Sequence, residues 1–312
     1  MKVYVPDYYK KFKCIADKCK HNCCIGWEID VDEDTLNYYK TLNNNFGRRL
    51  VDSIGYDDGN AHFILTKDER CPMLNGRNLC DVISNLGESN LCQICADHPR
   101  FRNFFADRTE VGLGMCCEAA CEIILFNPFT FSLSLLDNDY VEEESDTAQE
   151  EFFGKRDRVF KIATDRTKLL DDRIDLILKE FSIKIPSRSM FGWSRKLLSL
   201  EQLNPQWSAL VQEYLYGDYK SKNMNQLQWE LTFEQLFTYL LFRHTPDFQE
   251  KIEKGIAFSV LSYRIIKSIC SNIEDKRACM SPEVLIEICR MFSSEIEYSQ
   301  ENVNALYMLL DS

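Results

Sequence analysis

Residues 14–27 read CIADKCKHNCCIGW and place four cysteines close together on one short stretch of chain. Further thiols follow at Cys71, Cys80, Cys92, Cys95, Cys116, Cys117 and Cys121, whereas Cys270, Cys279 and Cys289 are scattered. Eleven of the 14 cysteines therefore lie in the first 121 residues. Closely spaced thiols can converge on one cation or cluster at modest entropic cost. The sequence thus predicts that metal–sulfur bonds, in place of a large apolar core, hold the first part together.

The overall composition is that of a folded protein that does not bind nucleic acid. Of the 312 residues, 45% are hydrophobic and 28% are charged, which excludes a disordered chain and is consistent with two domains. The net charge of −12 and the pI near 5.0 disfavour nonspecific nucleic-acid binding, which needs clustered cations. The same charge is compatible with a cationic partner, such as a lysine-bearing protein surface.

The thiols are expected to be reduced, because nothing in the sequence indicates export. The N-terminus reads MKVYVPDYYKKFKC and has no unbroken apolar core, so no signal peptide is predicted. The most apolar stretch, residues 123–136, is too short to span a membrane and contains Asn127 and Pro128. We therefore predict a cytoplasmic protein without a membrane segment. In that compartment, a high cysteine density favours metal binding over disulfides.

The predicted fold is mainly α, with an irregular, loop-rich, metal-binding N-terminal lobe followed by a helical C-terminal lobe. The predicted divisions are a cysteine-rich domain at 1–136, an acidic linker at 137–151 and a helical domain at 152–312. Trp229, Phe233 and Leu236 begin an apolar series at helical spacing. Other predicted helices are 33–42, capped by Asp32, one starting at Ser281-Pro282, and 303–310. Only residues 62–66 and 109–115 indicate strands.

The spacing of the thiols leaves the metal open. The predicted ligands are Cys14, Cys19, Cys23, Cys24, Cys71, Cys80, Cys92, Cys95, Cys116 and Cys117. Cys92 and Cys95 form a single Cys-x-x-Cys, so a Cys₄ zinc ribbon is not indicated. Gly26 stands where a radical S-adenosylmethionine motif beginning at Cys19 and Cys23 would need its third cysteine. Thiolates suit Zn²⁺ and iron–sulfur clusters equally, and the thiols suffice for two sites, or for one site with structural thiols around it.

Several motifs resemble the flagellin lysine-N-methylases. They are Cys23-Cys24-x-Gly26-Trp27, Cys71-Pro72-x-Leu74, Leu91-Cys92-x-x-Cys95-x-x-His98-Pro99-Arg100, Gly112-Leu113-Gly114-x-Cys116-Cys117-Glu118 and Tyr239-Leu240-x-Phe242-Arg243-His244. The first part also resembles small zinc- or iron-chelating cysteine-cluster domains. The resemblance implies methyl transfer from S-adenosylmethionine to lysine ε-amines of flagellin, with a [4Fe–4S] cluster; zinc is the alternative metal.

Methyl transfer to lysine needs a neutral amine, whereas free lysine has a pKa of about 10.4. The candidate bases are Glu28, Asp30 and Glu118, although each is more often a surface carboxylate. For S-adenosylmethionine, Gly112 and Gly114 could form a binding turn and Arg100 could pair with a carboxylate. A tight turn that delivers Cys116 to a metal, and a salt bridge within the lobe, are the structural alternatives.

Two further functions are consistent with the residues. One is a non-enzymatic iron–sulfur or zinc module for electron transfer or protein assembly, and the other is a zinc-stabilised adaptor with a helical binding half. Visible absorption separates iron–sulfur from zinc, and methylation of flagellin separates the enzyme from both. Cys270, Cys279 and Cys289 are predicted to be small buried hydrophobic residues. The sequence indicates no oligomeric state.

Overall fold

The computed structural model describes residues 2–138, 147–216, 226–246, 251–277 and 280–310. The chain forms two compact units, which we call the cysteine-rich unit (Lys13–Phe101) and the helical unit (Met1–Phe12 with Arg102–Ser312). The predicted mainly α fold is confirmed, since 57% of the structure is helical. None of the described helices is long and apolar enough to cross a membrane.

The secondary structure alternates short strands and helices before residue 139 and is helical afterwards. The strands are β1 (Lys2–Pro6), β2 (Ile54–Asp57), β3 (Asn60–Phe63), β4 (Arg100–Phe104), β5 (Arg108–Leu113) and β6 (Leu133–Asn138). The earlier helices are α1 (Glu33–Thr41), α2 (Asn45–Asp52), α3 (Asp81–Leu86), α4 (Gln93–Asp97) and α5 (Glu118–Leu125). The later helices are α6 (Thr147–Ala163), α7 (Leu170–Glu180), α8 (Met190–Leu197), α9 (Pro205–Tyr214), α10 (Gln226–His244), α11 (Ile252–Arg277), α12 (Pro282–Phe292) and α13 (Gln300–Leu310).

The cysteine-rich unit has an apolar core of its own. Ile29, Tyr39, Leu50 and Phe63 are almost fully buried in it, and Cys71 and Cys92 belong to the same cluster. The prediction that sulfur–metal bonds would replace an apolar interior was therefore wrong in part. The thiols pack against a core that already joins α1, α2 and the β2–β3 hairpin.

The β2–β3 hairpin explains why one strand lies two residues earlier in the sequence than predicted. Asp58 and Gly59 form its turn, both with positive φ, as a two-residue hairpin turn requires. The strand predicted at 62–66 accordingly lies at Asn60–Phe63, because the turn sets where pairing starts.

A four-stranded sheet has the order β4-β5-β1-β6, and its strands β5, β1 and β6 belong to the helical unit. The N-terminal strand β1 pairs in parallel with β5 and antiparallel with β6. Residues 2–12 therefore fold with the later part of the chain, and the division differs from the boundary predicted at 136. The predicted strand at 109–115 is present as β5, which starts one residue earlier and ends two residues earlier.

The acidic linker predicted at 137–151 is also revised. Strand β6 runs to Asn138 and helix α6 begins at Thr147, where Gln149 is fully buried and donates from Nε2 to Asp107 at 2.8 Å. Residues 139–146 lie outside the described residues. A strand end and a helix start therefore lie within the stretch predicted as a linker, and the buried Gln149 holds the helix start against Asp107.

Helices α10 and α11 form the centre of the helical unit. Trp229, Phe233 and Leu236 on α10 are buried, as their spacing predicts. Ser281 caps α12 by accepting the Val284 N–H at 3.4 Å, with Pro282 as the first helical residue, which confirms the predicted start. The predicted closing helix is α13, which begins at Gln300.

Buried ion pairs connect the helices of this unit. Arg173 on α7 contacts Glu234 on α10 at 2.6 Å, with both side chains nearly inaccessible to solvent. Lys267 on α11 contacts Asp171 on α7 at 2.8 Å. Such pairs fix helix positions, because leaving either partner alone and buried would cost several kcal/mol.

Candidate functional site

Five thiols of the cysteine-rich unit gather at one side of its apolar core. Cys71 and Cys92 are buried, and Cys24, Cys80 and Cys95 are half-buried against the same cluster. The Cys71 N–H donates to the Cys24 carbonyl at 2.8 Å and so joins two stretches of chain that are distant in sequence. We call these five residues the thiol cluster.

Backbone N–H groups point at three of these sulfur atoms. Cys71 Sγ accepts the Met73 N–H at 3.4 Å, and Cys80 Sγ accepts N–H groups from the start of α3. Cys92 Sγ accepts the N–H of Cys95. Donors aimed at sulfur favour the thiolate, which is the form that binds a metal.

The thiols also share protons with each other. A hydrogen bond from the Cys95 thiol lowers the pKa of Cys92, and the same bond raises the pKa of Cys95. Burial raises the pKa of Cys71 to about 11. A bound cation would replace the thiol protons that form these hydrogen bonds, because metal binding to thiols releases the protons.

The described part of the chain contains no three His, Cys, Asp or Glu side chains grouped so that they could hold a metal ion as they stand. The thirteen described cysteines are free thiols, and Cys279 lies outside the described residues. The cluster nevertheless supplies more than four soft donors with N–H groups at their sulfur atoms. The donor type therefore fits a thiolate-bound metal.

The other predicted ligands lie outside the thiol cluster. Cys14 and Cys23 are exposed and Cys19 is half-buried on the stretch that precedes it. The Cys24 thiol is hydrogen-bonded to Cys23, which lowers the pKa of Cys23 to about 7. Cys116 and Cys117 belong to the helical unit, between β5 and α5.

Asp32 supports the cluster from the start of α1. Its Oδ1 accepts the Thr35 N–H at 3.0 Å, which confirms the predicted cap. Its Oδ2 accepts the Gln93 N–H at 2.7 Å, in the first turn of α4 between the two cysteines of Cys-x-x-Cys. The Asp32 carboxylate therefore caps the start of α1 and also holds the start of α4, which follows Cys92 and carries Cys95.

We expect Asp32→Ala to lower the free energy of unfolding by about 1–2 kcal/mol, because both N–H groups lose their acceptor. Urea denaturation measures the change. Asp32→Asn is the matched control, since its one side-chain oxygen can still cap Thr35 and should retain part of the stability. Equal stability of wild type and Asp32→Ala would contradict the dual role.

The helical unit holds a second group of polar side chains, centred on Glu297. Glu297 Oε2 accepts the Tyr239 hydroxyl at 2.8 Å, and Oε1 lies 2.8 Å from His244 Nε2. Arg243 Nε lies 3.4 Å from the same Oε1. Glu297 ends a π-helical turn, Ser293–Glu297, a rare geometry that is frequent at functional sites. We call this group the Glu297 network.

The network contains an ionised pair. Burial alone would raise the pKa of Glu297, but Arg243 and the hydrogen bond from His244 outweigh it and lower the pKa to about 2. Burial lowers the pKa of His244, so the ring is neutral and donates from Nε2 to the carboxylate. Arg243 therefore supplies the balancing positive charge.

The network extends to Cys116 through Tyr298. The Arg243 guanidinium lies 4.7 Å from the centre of the Tyr298 ring, and the Tyr298 hydroxyl is hydrogen-bonded to the Cys116 thiol. Burial raises the pKa of Cys116 to about 12, against the lowering effect of that hydroxyl and of Arg243. A Cβ at Gly114 would lie 2.2 Å from the Tyr298 hydroxyl oxygen, so glycine leaves the space that this contact needs.

The predicted cofactor residues have different surroundings from those expected. Gly112 lies within strand β5, and Gly114 begins the connection from β5 to α5. This connection carries Cys116, and Gly114 makes room for Tyr298; delivery of Cys116 to a metal stays a prediction. Arg100 Nη1 donates to the Ala96 carbonyl at 3.0 Å, across the end of α4.

The three candidate bases are not brought together. Glu28 is exposed, with Oε1 at 3.6 Å from His62 Nδ1, and Asp30 is exposed on the same stretch. Glu118 is the first residue of α5 in the helical unit and is half-buried. The roles of all three remain predictions.

The sequence did not indicate a role for Glu297 or Tyr298, and His244 entered only as part of a family motif. Two signals were present: Tyr239 and Arg243 are spaced by four on α10, and Glu297 follows Ile296 shortly after the apolar part of α12. Side chains four residues apart lie on one helix face. Because buried polar groups are hydrogen-bonded, two polar side chains on a buried face predict a polar partner there.

Comparison with known proteins adds to this geometry. Residues 111–312, which contain the whole Glu297 network, match the family model described as the FliB lysine N-methylase C-terminal domain. The chain belongs to the FliB lysine N-methylase family. No solved structure matches it.

Among relatives, the lysine-N-methylase of Salmonella typhimurium strain LT2 is 26% identical over 135 residues, 41% of this chain and 34% of that protein. A flagellar biosynthetic protein of Salmonella muenchen, FliU, is 25% identical over 134 residues, 41% of this chain and 79% of FliU. The match thus spans about a third of the length of the curated lysine-N-methylase.

Proposed function

We propose that this protein is a cytoplasmic lysine N-methyltransferase that transfers methyl from S-adenosylmethionine to lysine ε-amines of flagellin. Membership of the FliB lysine N-methylase family is the observation that carries the proposal. The relatives named lysine-N-methylase and flagellar biosynthetic protein support the reaction and the flagellar substrate.

The proposal includes a [4Fe–4S] cluster held by Cys71, Cys80, Cys92 and Cys95, with Cys24 beside them. The gathering of these thiols and the N–H groups at their sulfur atoms support this assignment. With one thiolate on each iron, such a cluster would join the segments that carry the four cysteines and could exchange an electron; only a cluster with one thiolate fewer would leave an iron free to coordinate amino and carboxylate groups. Zinc on the same thiols is the alternative.

The protein must also provide a neutral lysine amine. Of the candidate bases, Glu118 lies in the part matched by the family model and heads α5 directly after Cys116 and Cys117. We therefore propose Glu118 as the first base to test, ahead of Glu28 and Asp30. Gly112, Gly114 and Arg100 remain proposed contacts for S-adenosylmethionine.

Anaerobically purified protein should methylate purified flagellin when S-adenosylmethionine is added. Intact mass spectrometry should show gains of about 14 Da per methyl on lysine, since only a neutral amine can attack the methyl group. Reactions without S-adenosylmethionine are the control. No mass gain with metal-replete protein would contradict the proposed function.

The metal is tested separately on the same preparation. A brown protein with iron and sulfide in equal amounts is expected for a [4Fe–4S] cluster bound by four thiolates. A colourless anaerobic preparation with stoichiometric zinc would instead favour the zinc alternative and a structural role for the thiol cluster.

A further inference from the structure

Three helices of the helical unit bring their cysteines together. Cys121 lies on α5, Cys270 on α11 and Cys289 on α12, and all three side chains are almost fully buried. Cys289 lies beside both of the others, since its proximity raises the pKa of Cys121 and of Cys270. None of the three is among the ligands proposed for the metal. Their grouping therefore needs a separate explanation.

Cys121 and Cys289 are in contact where α5 packs against α12. The Cys121 Sγ donates to the Ile286 carbonyl on α12 at 3.6 Å, and the Cys121 thiol is also hydrogen-bonded to Cys289. A disulfide needs its sulfur atoms about 2.05 Å apart and its Cβ atoms about 4 Å apart. Two thiols that already lie within hydrogen-bond distance therefore need only a small shift of the two helices to form that bond.

The Cys121 thiol is poorly suited to direct reaction with an oxidant. Burial raises its pKa, and the hydrogen bond with Cys289 raises this pKa further. Arg290 lowers the same pKa, but its guanidinium is also paired with Glu287 at 2.8 Å. The thiolate is the reactive form of cysteine, so a buried, protonated thiol exchanges slowly with disulfides in solution. Oxidation of this pair therefore needs a more accessible thiol nearby.

Cys117 connects the buried pair with the protein surface. It is half-buried at the start of α5, and the Cys121 N–H donates to its carbonyl oxygen at 2.8 Å, one helical turn away. The Cys117 thiol is also near enough to raise the pKa of Cys121 electrostatically. A disulfide formed first at Cys117 can therefore pass to Cys121 by thiol–disulfide exchange.

We propose that Cys121 and Cys289 form a reversible dithiol, which small disulfides of the glutathione type oxidise through Cys117. Cys117 displaces one small thiol and forms a mixed disulfide, and Cys121 then displaces the second small thiol. Cys289 attacks the Cys121 sulfur and releases Cys117 as a thiol. In each exchange the proton of the attacking thiol goes to the departing sulfur. The net reaction converts two protein thiols and one small disulfide into one protein disulfide and two small thiols.

The disulfide would tie together two helices that carry other groups described above. Helix α5 begins with Glu118, and α12 continues into the π-helical turn that ends at Glu297. The bond also closes a long loop of chain, which restricts the unfolded state. Oxidation should therefore slow hydrogen–deuterium exchange in α5 and raise the denaturation midpoint of the helical unit. These effects do not depend on the proposed function, because they involve neither S-adenosylmethionine nor flagellin.

Peptide mapping of the oxidised full-length protein tests the pairing. Anaerobically purified wild type is incubated with glutathione disulfide, alkylated, and digested without reductant. We expect a linked pair of peptides that contains Cys121 and Cys289 and that excess dithiothreitol separates. Exposed cysteines such as Cys14 and Cys23 also react, so each linked peptide is identified by its mass. Absence of this link, or a link from Cys289 to another cysteine, would overturn the proposal.

Two buried cysteines provide matched variants for the same experiment. Cys289→Ala should abolish the link and the rise in denaturation midpoint. Cys270→Ala removes an equally buried thiol beside Cys289, and it should retain both. Thermal melts of the reduced proteins establish that each variant is folded. Loss of the Cys121–Cys289 link in folded Cys270→Ala, or an unchanged oxidised midpoint in Cys289→Ala, would count against the pair.

The rate of oxidation tests the route through Cys117. Cys117→Ala should slow formation of the link about tenfold or more, because the oxidant then reaches the buried thiols only after local unfolding. Cys116→Ala is the matched control, since it removes the adjacent half-buried thiol, and it should oxidise at the wild-type rate. Equal rates in wild type and Cys117→Ala would overturn this route.

Discussion

Replacing Cys92 and Cys95 together with serine is expected to abolish the metal binding that we propose for the thiol cluster and to unfold much of the cysteine-rich unit. Both side chains pack against the apolar core, and Cys92 is 1% exposed. In small metal-bound domains, binding contributes folding energy on the order of 10 kcal/mol, so its loss is larger than that of any single contact. Metal analysis and limited proteolysis within Lys13–Phe101 measure the effect.

The paired replacement of Cys14 and Cys19 is the matched control for this experiment. It removes the same number of thiols, but from the stretch that lies outside the thiol cluster. The control should keep its metal content and its resistance to proteolysis. An unchanged thermal transition and metal content in the Cys92 and Cys95 variant would show that this pair is peripheral.

Local features of the fold could be predicted because short-range sequence determines them. The caps at Asp32 and Ser281 depend on one side chain and an N–H three residues later. The apolar series beginning at Trp229 depends only on helical period. Each of these predictions needs no knowledge of the rest of the chain.

Long-range pairing could not be predicted in the same way. Strand β1 lies between β5 and β6, which are more than a hundred residues away in sequence, so composition does not indicate this pairing. The Glu297 network likewise joins α10 to a turn more than fifty residues later. The thiols could be named as candidate ligands by residue type, but which five gather depends on how the core of the unit folds.

Glu297→Gln is expected to lower the free energy of unfolding of the helical unit by about 3–5 kcal/mol, because it leaves the Arg243 charge buried without its partner. Glu180→Gln is the matched control. Glu180 also pairs with an arginine, Arg158, at 2.6 Å, but both side chains are exposed. Its melting temperature should therefore stay close to that of the wild type, since exposed pairs contribute little.

The pH dependence of the free energy of unfolding tests whether the charge of Glu297 causes this loss of stability. The pKa of Glu297 is about 2 in the folded protein, below its ordinary value of about 4.3 in the unfolded chain. The carboxylate therefore stabilises the fold above the ordinary pKa, and this contribution is lost as pH falls toward 2. The stability difference between wild type and Glu297→Gln in urea should shrink over that range. A difference that stays constant down to pH 2 would assign the effect to hydrogen-bond geometry, because the glutamine does not titrate.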